Sequence, residues 1–244
     1  MRQKYCGLFV ILWLLSFVSL TSCYATVAEG QDPSKLFEQA KNAEKRGDYQ
    51  YAVNLYSRAI AINPNNSVAY NNRGIAYYKL EYYDLAIADF TQAIELDPKN
   101  VEAYNNRGNA YYKVQYYSQA IENYTQAIEL DPKEALYYNN RADAYYELQN
   151  YKQAIADYTQ AIALDPKNVE AYNNRGNVYY GLKNYSQAIE NYTQAIKINQ
   201  EYVKAYYNRG LAYKELQNYD QAIADFTQAI ELDPKNVVYY IKRG

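Results

Sequence analysis

Histidine is absent from the 244 residues, and the only two cysteines, Cys6 and Cys23, lie near the amino terminus. Beyond residue 23 there is therefore no imidazole and no thiol. That excludes Ser-His and Cys-His nucleophilic pairs, disulfides and the common zinc ligand sets from the body of the chain. No glycine-rich phosphate loop occurs either. Positive charge is scarce: with Arg2 and Lys4 set aside, 23 basic residues stand against 27 acidic ones, a net charge of −4. A phosphate backbone needs clustered cations, so nucleic acid is disfavoured as a partner. Carboxylate pairs remain, but nothing separates any two acids from the background of the chain. The reading is a non-enzymatic protein without cofactor or metal.

Long apolar runs are equally rare. The one present, Leu8 to Leu20, is broken only by Ser16 and Ser19 and follows Arg2 and Lys4. These 13 residues would span roughly 20 Å as a helix, short of the ~30 Å hydrocarbon layer, which points to an export signal. The closing Leu20-Thr21-Ser22-Cys23 resembles the bacterial lipobox, a resemblance that makes Cys23 the acylated first residue of a mature lipoprotein. Two alternatives stand beside it. Ala25 and Ala28 could serve an ordinary signal peptidase, and the lack of charge between Lys4 and Glu29 leaves room for an uncleaved anchor. Tyr24 to Asp32 reads as a polar tether. The expected destination is outside a bacterial cytoplasm, on a membrane or in the periplasmic or extracellular space.

What the chain has in abundance is tyrosine, 34 residues of it, arranged with a strict period. Pro64, Pro98, Pro132, Pro166 and Pro234 fall at multiples of 34 residues, with Gln200 where one proline is missing. Units begin at Pro33, Ser67, Val101, Ala135, Val169 and Val203, and the opening of a seventh runs from residue 237 to 244. Within each complete unit the recurring features are an aromatic at place 4 from the second unit on, Gly or Ala at 8 and Tyr at 17. Ala at 20, an aromatic at 24, Ala at 27 and Pro at 32 complete the pattern. It closely resembles the tetratricopeptide repeat. The resemblance implies an all-α, right-handed superhelical solenoid of antiparallel helix pairs. Two departures stand out. The usual Trp at place 4 is Tyr, and the usual Leu at place 7 is Arg (Arg73, Arg107, Arg141, Arg175, Arg209, Arg243).

The residues support the same architecture without the family. Tyr104, Gly108, Tyr111 and Tyr112 share one helix face, as do Ala120, Tyr124, Ala127 and Ile128, so each unit is two amphipathic helices. The small residue at place 8 is expected to face the alanines at 20 and 27, with tyrosines filling the remaining space. Asp-Pro-Lys-Asn ends the second helix, and Asn100 or Asn168 can cap the next. Lys41, Glu44 and Lys45 are read as the polar surface of a terminal cap. The arginine at place 7 is expected to lay its stem on the core and carry its head outward. The acids Asp89, Glu122, Asp157, Glu190 and Asp225 read as a ligand ladder or as structural charge, solvated or paired with arginine. Without its proline, the turn at Asn199-Gln200-Glu201-Tyr202 should be the softest interior junction. The seventh unit's opening suggests either a truncated chain or a partial lid over an open end.

Function then falls to surfaces. In the family, first helices line a concave groove, and places 2, 5, 6, 9, 12 and 13 point into it. Here place 6 is Asn72, Asn106, Asn140, Asn174 and Asn208; place 9 includes Asn109, Asp143 and Asn177; place 12 includes Tyr78, Tyr112, Tyr146 and Tyr180. Amides can pair with a peptide backbone, and phenols add apolar area with a polar tip. Family members that clamp acidic tails carry Lys at place 5, where this chain has Asn71, Asn105, Asn139, Asn173 and Tyr207. The expectation is a membrane-tethered scaffold that binds a protein or extended peptide in this groove. The alternatives are self-assembly through the carboxyl-terminal end and glycan binding.

Overall fold

The computed structural model describes residues 32–243. The stretch expected to be an export signal, Cys23 and most of the expected tether lie outside them. The described residues form thirteen helices and no strand. In chain order these are α1 (Pro33–Lys45), α2 (Tyr49–Ile62), α3 (Ser67–Lys79), α4 (Tyr83–Leu96), α5 (Val101–Lys113) and α6 (Tyr117–Leu130). There follow α7 (Ala135–Glu147), α8 (Tyr151–Leu164), α9 (Val169–Gly181), α10 (Tyr185–Ile198), α11 (Val203–Glu215), α12 (Tyr219–Leu232) and α13 (Val237–Arg243). The fold is an all-α repeat solenoid. It comprises two compact bodies, one ending at Ala103 and the other running from Tyr104.

Local chemistry sets the helix ends. The Asn66, Asn100 and Asn168 side chains accept the amides of Ala69, Ala103 and Ala171 at 3.0, 3.0 and 2.9 Å, satisfying donors that a first helical turn leaves unpaired. Upstream, Asp97, Asp131 and Asp165 each fold back onto the amide two residues on. Asn199 does the same to Glu201 at 2.9 Å, so the junction without proline keeps its turn. What it lacks is the cap: Tyr202, the residue before α11, offers no side-chain acceptor.

Between first and second helices the chain turns through one residue in the left-handed region. It is Gly47 (φ 78°) in the first unit, but Glu81, Gln115, Gln149, Lys183 and Gln217 in the others, at φ 58–63°. Left-handed backbone costs a non-glycine residue roughly 1–2 kcal/mol, so each of these turns carries a strain that a glycine would not.

Alanine makes the core thin. Ala120, Ala127, Ala154, Ala161, Ala188 and Ala195 are all fully buried. The small residue at place 8 lies against an aromatic ring of the second helix. A Cβ added at Gly108 or Gly176 would lie 2.6 Å from Cε1 of Tyr124 or Tyr192, so the glycine makes room for the aromatic at place 24.

The arginines also differ from expectation. Their heads turn inward: Arg73, Arg141 and Arg209 each grip a carboxylate 16 residues later, Asp89, Asp157 and Asp225, through two bonds of 2.7–2.9 Å. Those acids are only 5–7% exposed. The guanidinium groups lie 5.4–5.8 Å from the rings of Tyr70, Tyr138 and Tyr206 at place 4. Snorkelling fails here because the planar fork finds a bidentate partner and aromatic faces inside, where a solvated head would leave the aspartate bare. In the alternate units the partner is an amide: Arg107 and Arg175 donate to Asn123 and Asn191 at 2.7 and 2.8 Å. Glu122 and Glu190, next to those asparagines, stay exposed. Glu44 likewise does more than face water, since it accepts the Tyr56 hydroxyl at 2.7 Å.

Candidate functional site

In the body that begins at Tyr104, the candidate asparagines at places 6 and 9 come together, but as partners of one another. Asn140 donates its amide to Asn105 and Asn109 of the preceding unit at 3.0 and 3.3 Å, and Asn208 repeats this toward Asn173 and Asn177 at 3.0 and 3.1 Å. Behind them the phenols of Tyr124 and Tyr192, at place 24, donate to Asn109 and Asn177 at 2.8 and 2.9 Å. The amides thus stitch each unit to the next. Asn106, Asn140, Asn174 and Asn208 remain half-buried. In the other body Asn72 bonds to Tyr56, and the ring of Tyr78 packs edge-on against Tyr83 at 5.4 Å.

Tyrosine at place 12 is held by tyrosine at place 17. Tyr112, Tyr146 and Tyr180 pack on Tyr117, Tyr151 and Tyr185 with ring centroids 5.3, 5.9 and 5.4 Å apart. Burial raises the phenol pKa of all three, so each is a protonated donor at neutral pH. Fixed rings of this kind offer contact area with little rotamer entropy to lose.

One link departs from the amide pattern. At place 9 of α7 stands Asp143, and its Oδ1 accepts both the Tyr158 hydroxyl (2.5 Å) and the Asn174 amide (3.2 Å). By the geometry of Asn140 and Asn208, Asn174 should also have reached Asn139. The carboxylate draws it away, and the buried Asn139 Oδ1 is left without a partner. Burial pushes the Asp143 pKa up to about 6, against the lowering effect of the bonds from Tyr158 and Asn174; Glu170 and Glu147 push it further up. Asp143 stands out in the sequence only as an acid between Asn109 and Asn177 at place 9, and nothing there marks it as the centre of a pocket.

Two pockets open on this face. One of about 330 Å³ is lined by residues including Glu170, Asn174, Tyr202, Lys204, Tyr207 and Asn208. The other, of about 200 Å³, is lined by Tyr112, Asp143, Tyr146, Glu147, Tyr158, Asn174 and Asn177. Among the described residues no three carboxylates, cysteines or histidines converge as a metal site.

Sequence profiles described as TPR repeat match residues 45–81, 80–115, 142–183 and 176–217, and profiles described as tetratricopeptide repeat match 101–134, 123–156 and 203–236. The chain belongs to the tetratricopeptide repeat family. Human serine/threonine-protein phosphatase 5 is 42% identical to it over 53 residues, 22% of this chain and 11% of the phosphatase. Human tetratricopeptide repeat protein 28 is 41% identical over 49 residues, 20% of this chain and 2% of that protein. The chain therefore spans a small part of these curated relatives. Among solved structures, MamA is 30% identical with a TM-score of 0.63, over 66% of this chain and 95% of that one. YrrB, described as a TPR protein with an unusual peptide-binding site, is 20% identical with a TM-score of 0.62, over 76% and 96% of the two chains. Pseudomonas aeruginosa pilF is 17% identical with a TM-score of 0.72, over 86% and 95%. The last two share the fold alone. As a tetratricopeptide repeat protein, the chain has a scaffold fold compatible with protein binding.

Proposed function

We propose that this chain is a non-enzymatic scaffold that binds a protein or extended peptide along its first-helix face, from Asn106 to Asn208. The observation that carries the reading is the row of Tyr112, Tyr146 and Tyr180, locked by neighbouring rings and set beside half-buried amides and two pockets. Because the asparagine NH₂ groups of Asn140 and Asn208 already hold neighbouring units together, a ligand backbone meets chiefly the remaining acceptors and the phenol donors. Anchorage through a lipid on Cys23 belongs to the same reading and rests on Leu20-Thr21-Ser22-Cys23.

Photo-crosslinking separates this face from the others. With p-benzoylphenylalanine at Tyr146 or Tyr180, both on first helices, the protein in its host should yield discrete adducts. The same group at the exposed Gln160 of α8 should not. Adducts that are equal or stronger at Gln160 would move the site off this face. Loss of palmitate labelling in Cys23→Ser tests the anchor, and unlabelled wild-type protein would remove it.

A second reading, self-association, is favoured by α13, where Val237, Val238 and Ile241 are 66, 46 and 69% exposed. Sedimentation should show a concentration-dependent dimer that Ile241→Asp abolishes. A monomer at all concentrations ends this alternative.

A further inference from the structure

We propose that the pocket formed by Tyr112, Asp143, Tyr146, Glu147 and Tyr158 takes a lysine or arginine side chain of the bound polypeptide. This rests on the first-helix face being the binding surface, and it names what one position of that face selects.

The repeats supply their own controls. Place 9 is Asn109 and Asn177 in the flanking units, and Asp143 only here; place 13 is Lys113 before and Gly181 after, and Glu147 here. The two acids sit one turn apart on α7, a like-charge spacing that disfavours a helix. Neither is relieved by a cation: no ion pair found among the described residues involves Asp143 or Glu147. Unit four thus keeps two uncompensated carboxylates where its neighbours have none, and the exchange strands the buried Asn139 Oδ1.

The site is polarised for a cation. Both hydrogen bonds to Asp143 end on Oδ1, while Oδ2 takes none from the described residues and is not sealed from solvent. On Glu147, Oε1 accepts the Tyr112 hydroxyl at 3.3 Å, which ties α5 to α7 across the pocket. Three phenol rings bound a space of about 200 Å³, large enough for an ammonium or guanidinium head with part of its stem. Ring faces and carboxylates attract the same charge, and a cation entering here would meet acceptors that burial has already stripped of some water. An acidic or neutral side chain would gain nothing from Oδ2. Protonation of Asp143, near pH 6, would remove part of the attraction, with Glu147, Glu170, Tyr112, Tyr146 and Tyr158 as the other ionisable groups facing it.

The test uses the full chain in detergent and fluorescein-labelled decapeptide libraries, each with one fixed residue (Lys, Arg, norleucine or Glu) and nine randomised, read by fluorescence anisotropy. Wild-type protein should bind the Lys and Arg libraries about tenfold or more tighter than the norleucine library. Asp143→Asn should reduce that ratio to about twofold. This variant is mild, because Asn109 and Asn177 already accept the equivalent tyrosine hydroxyl. Glu147→Gln, which retains an acceptor for Tyr112, should reduce the ratio in part. Equal binding of all four libraries refutes the pocket's selectivity and leaves the face as a binding surface. A preference that survives both variants places the selectivity elsewhere. No binding of any library refutes both readings. Calorimetry with spermidine closes the remaining route: tight, Asp143-dependent binding of spermidine without any library preference would give the pocket to a free amine and overturn the side-chain assignment.

Discussion

Replacing Asp143 by Asn should make the protein more stable, and by an amount that depends on pH. Burial holds the Asp143 carboxyl at a pKa of about 6 in the folded chain against an ordinary 3.8, which corresponds to ~3 kcal/mol between the two protonation states. The raised value means that the folded state binds more protons than the unfolded state between those two limits. Stability contributed at this site is therefore fully present below pH 4 and lost as pH rises toward and past 6. In Asp143→Asn the loss does not occur. The amide also releases Asn174 to return to Asn139 Oδ1, satisfying a buried acceptor whose isolation costs roughly 1–3 kcal/mol. Urea unfolding followed by circular dichroism should show the variant ahead at both pH values, with its lead about 2 kcal/mol larger at pH 7.5 than at pH 4.5, because the gain at Asn139 does not depend on pH. All other carboxylates are common to the two proteins and cancel in the difference. A variant less stable than wild type at pH 7.5, or a difference that does not change with pH, would refute the account of a penalised, uncompensated carboxylate.

Three further outcomes follow from the packing. Asp157→Ala leaves the Arg141 guanidinium without its bidentate partner and should cost ~3–5 kcal/mol in thermal or urea unfolding, whereas Asp157→Asn, which copies the arrangement around Asn123 and Asn191, should cost less than about 1.5 kcal/mol; equal losses would mean that the charge pair is not what matters. Gln149→Gly removes a left-handed non-glycine residue and should add about 1 kcal/mol, read as a higher midpoint, with a fall in stability as the contrary result. Gln200→Pro restores the residue found at place 32 of the other units; no hydrogen bond from the Gln200 amide is needed by the turn, so a gain of ~0.4–1 kcal/mol is expected, and slow hydrogen exchange at Asn199 to Tyr202 in the wild type would show that this junction was never soft.

The architecture is legible in the sequence because its signals are periodic: proline and alanine at fixed places report where helices stop and where they touch. Contacts between places were harder. Nothing in Arg141 announces Asp157, since the pair lies 16 residues apart on different helices, and the family pattern offers Leu where this chain has Arg. The sequence alternates Asp and Asn at place 23 (Asp89, Asn123, Asp157, Asn191, Asp225), which gains meaning only from the arginine of the same unit that reaches that place. The left-handed turns are not legible because Glu81, Gln115 and Lys183 carry no conformational signature, unlike Gly47. The asparagine column was legible as chemistry and not as geometry: Asn140 and Asn174 share a place and a residue type, yet one amide reaches Asn105 and the other Asp143. That difference comes from a neighbour one unit away, beyond the reach of any local pattern.

A surface built from translated copies has an ambiguity that other binding surfaces lack. An extended ligand that fits Asn106, Asn140 and Asn174 fits equally well one unit further along, and it can occupy several frames or slide between them. Asp143 breaks that translational symmetry. With Glu147 it gives the repeating asparagines a zero mark, so that a chain carrying one cation would lie in one frame and the ends of the ligand would fall at defined units. The same single substitution in the repeat would turn a surface that tolerates sequence into one that measures position.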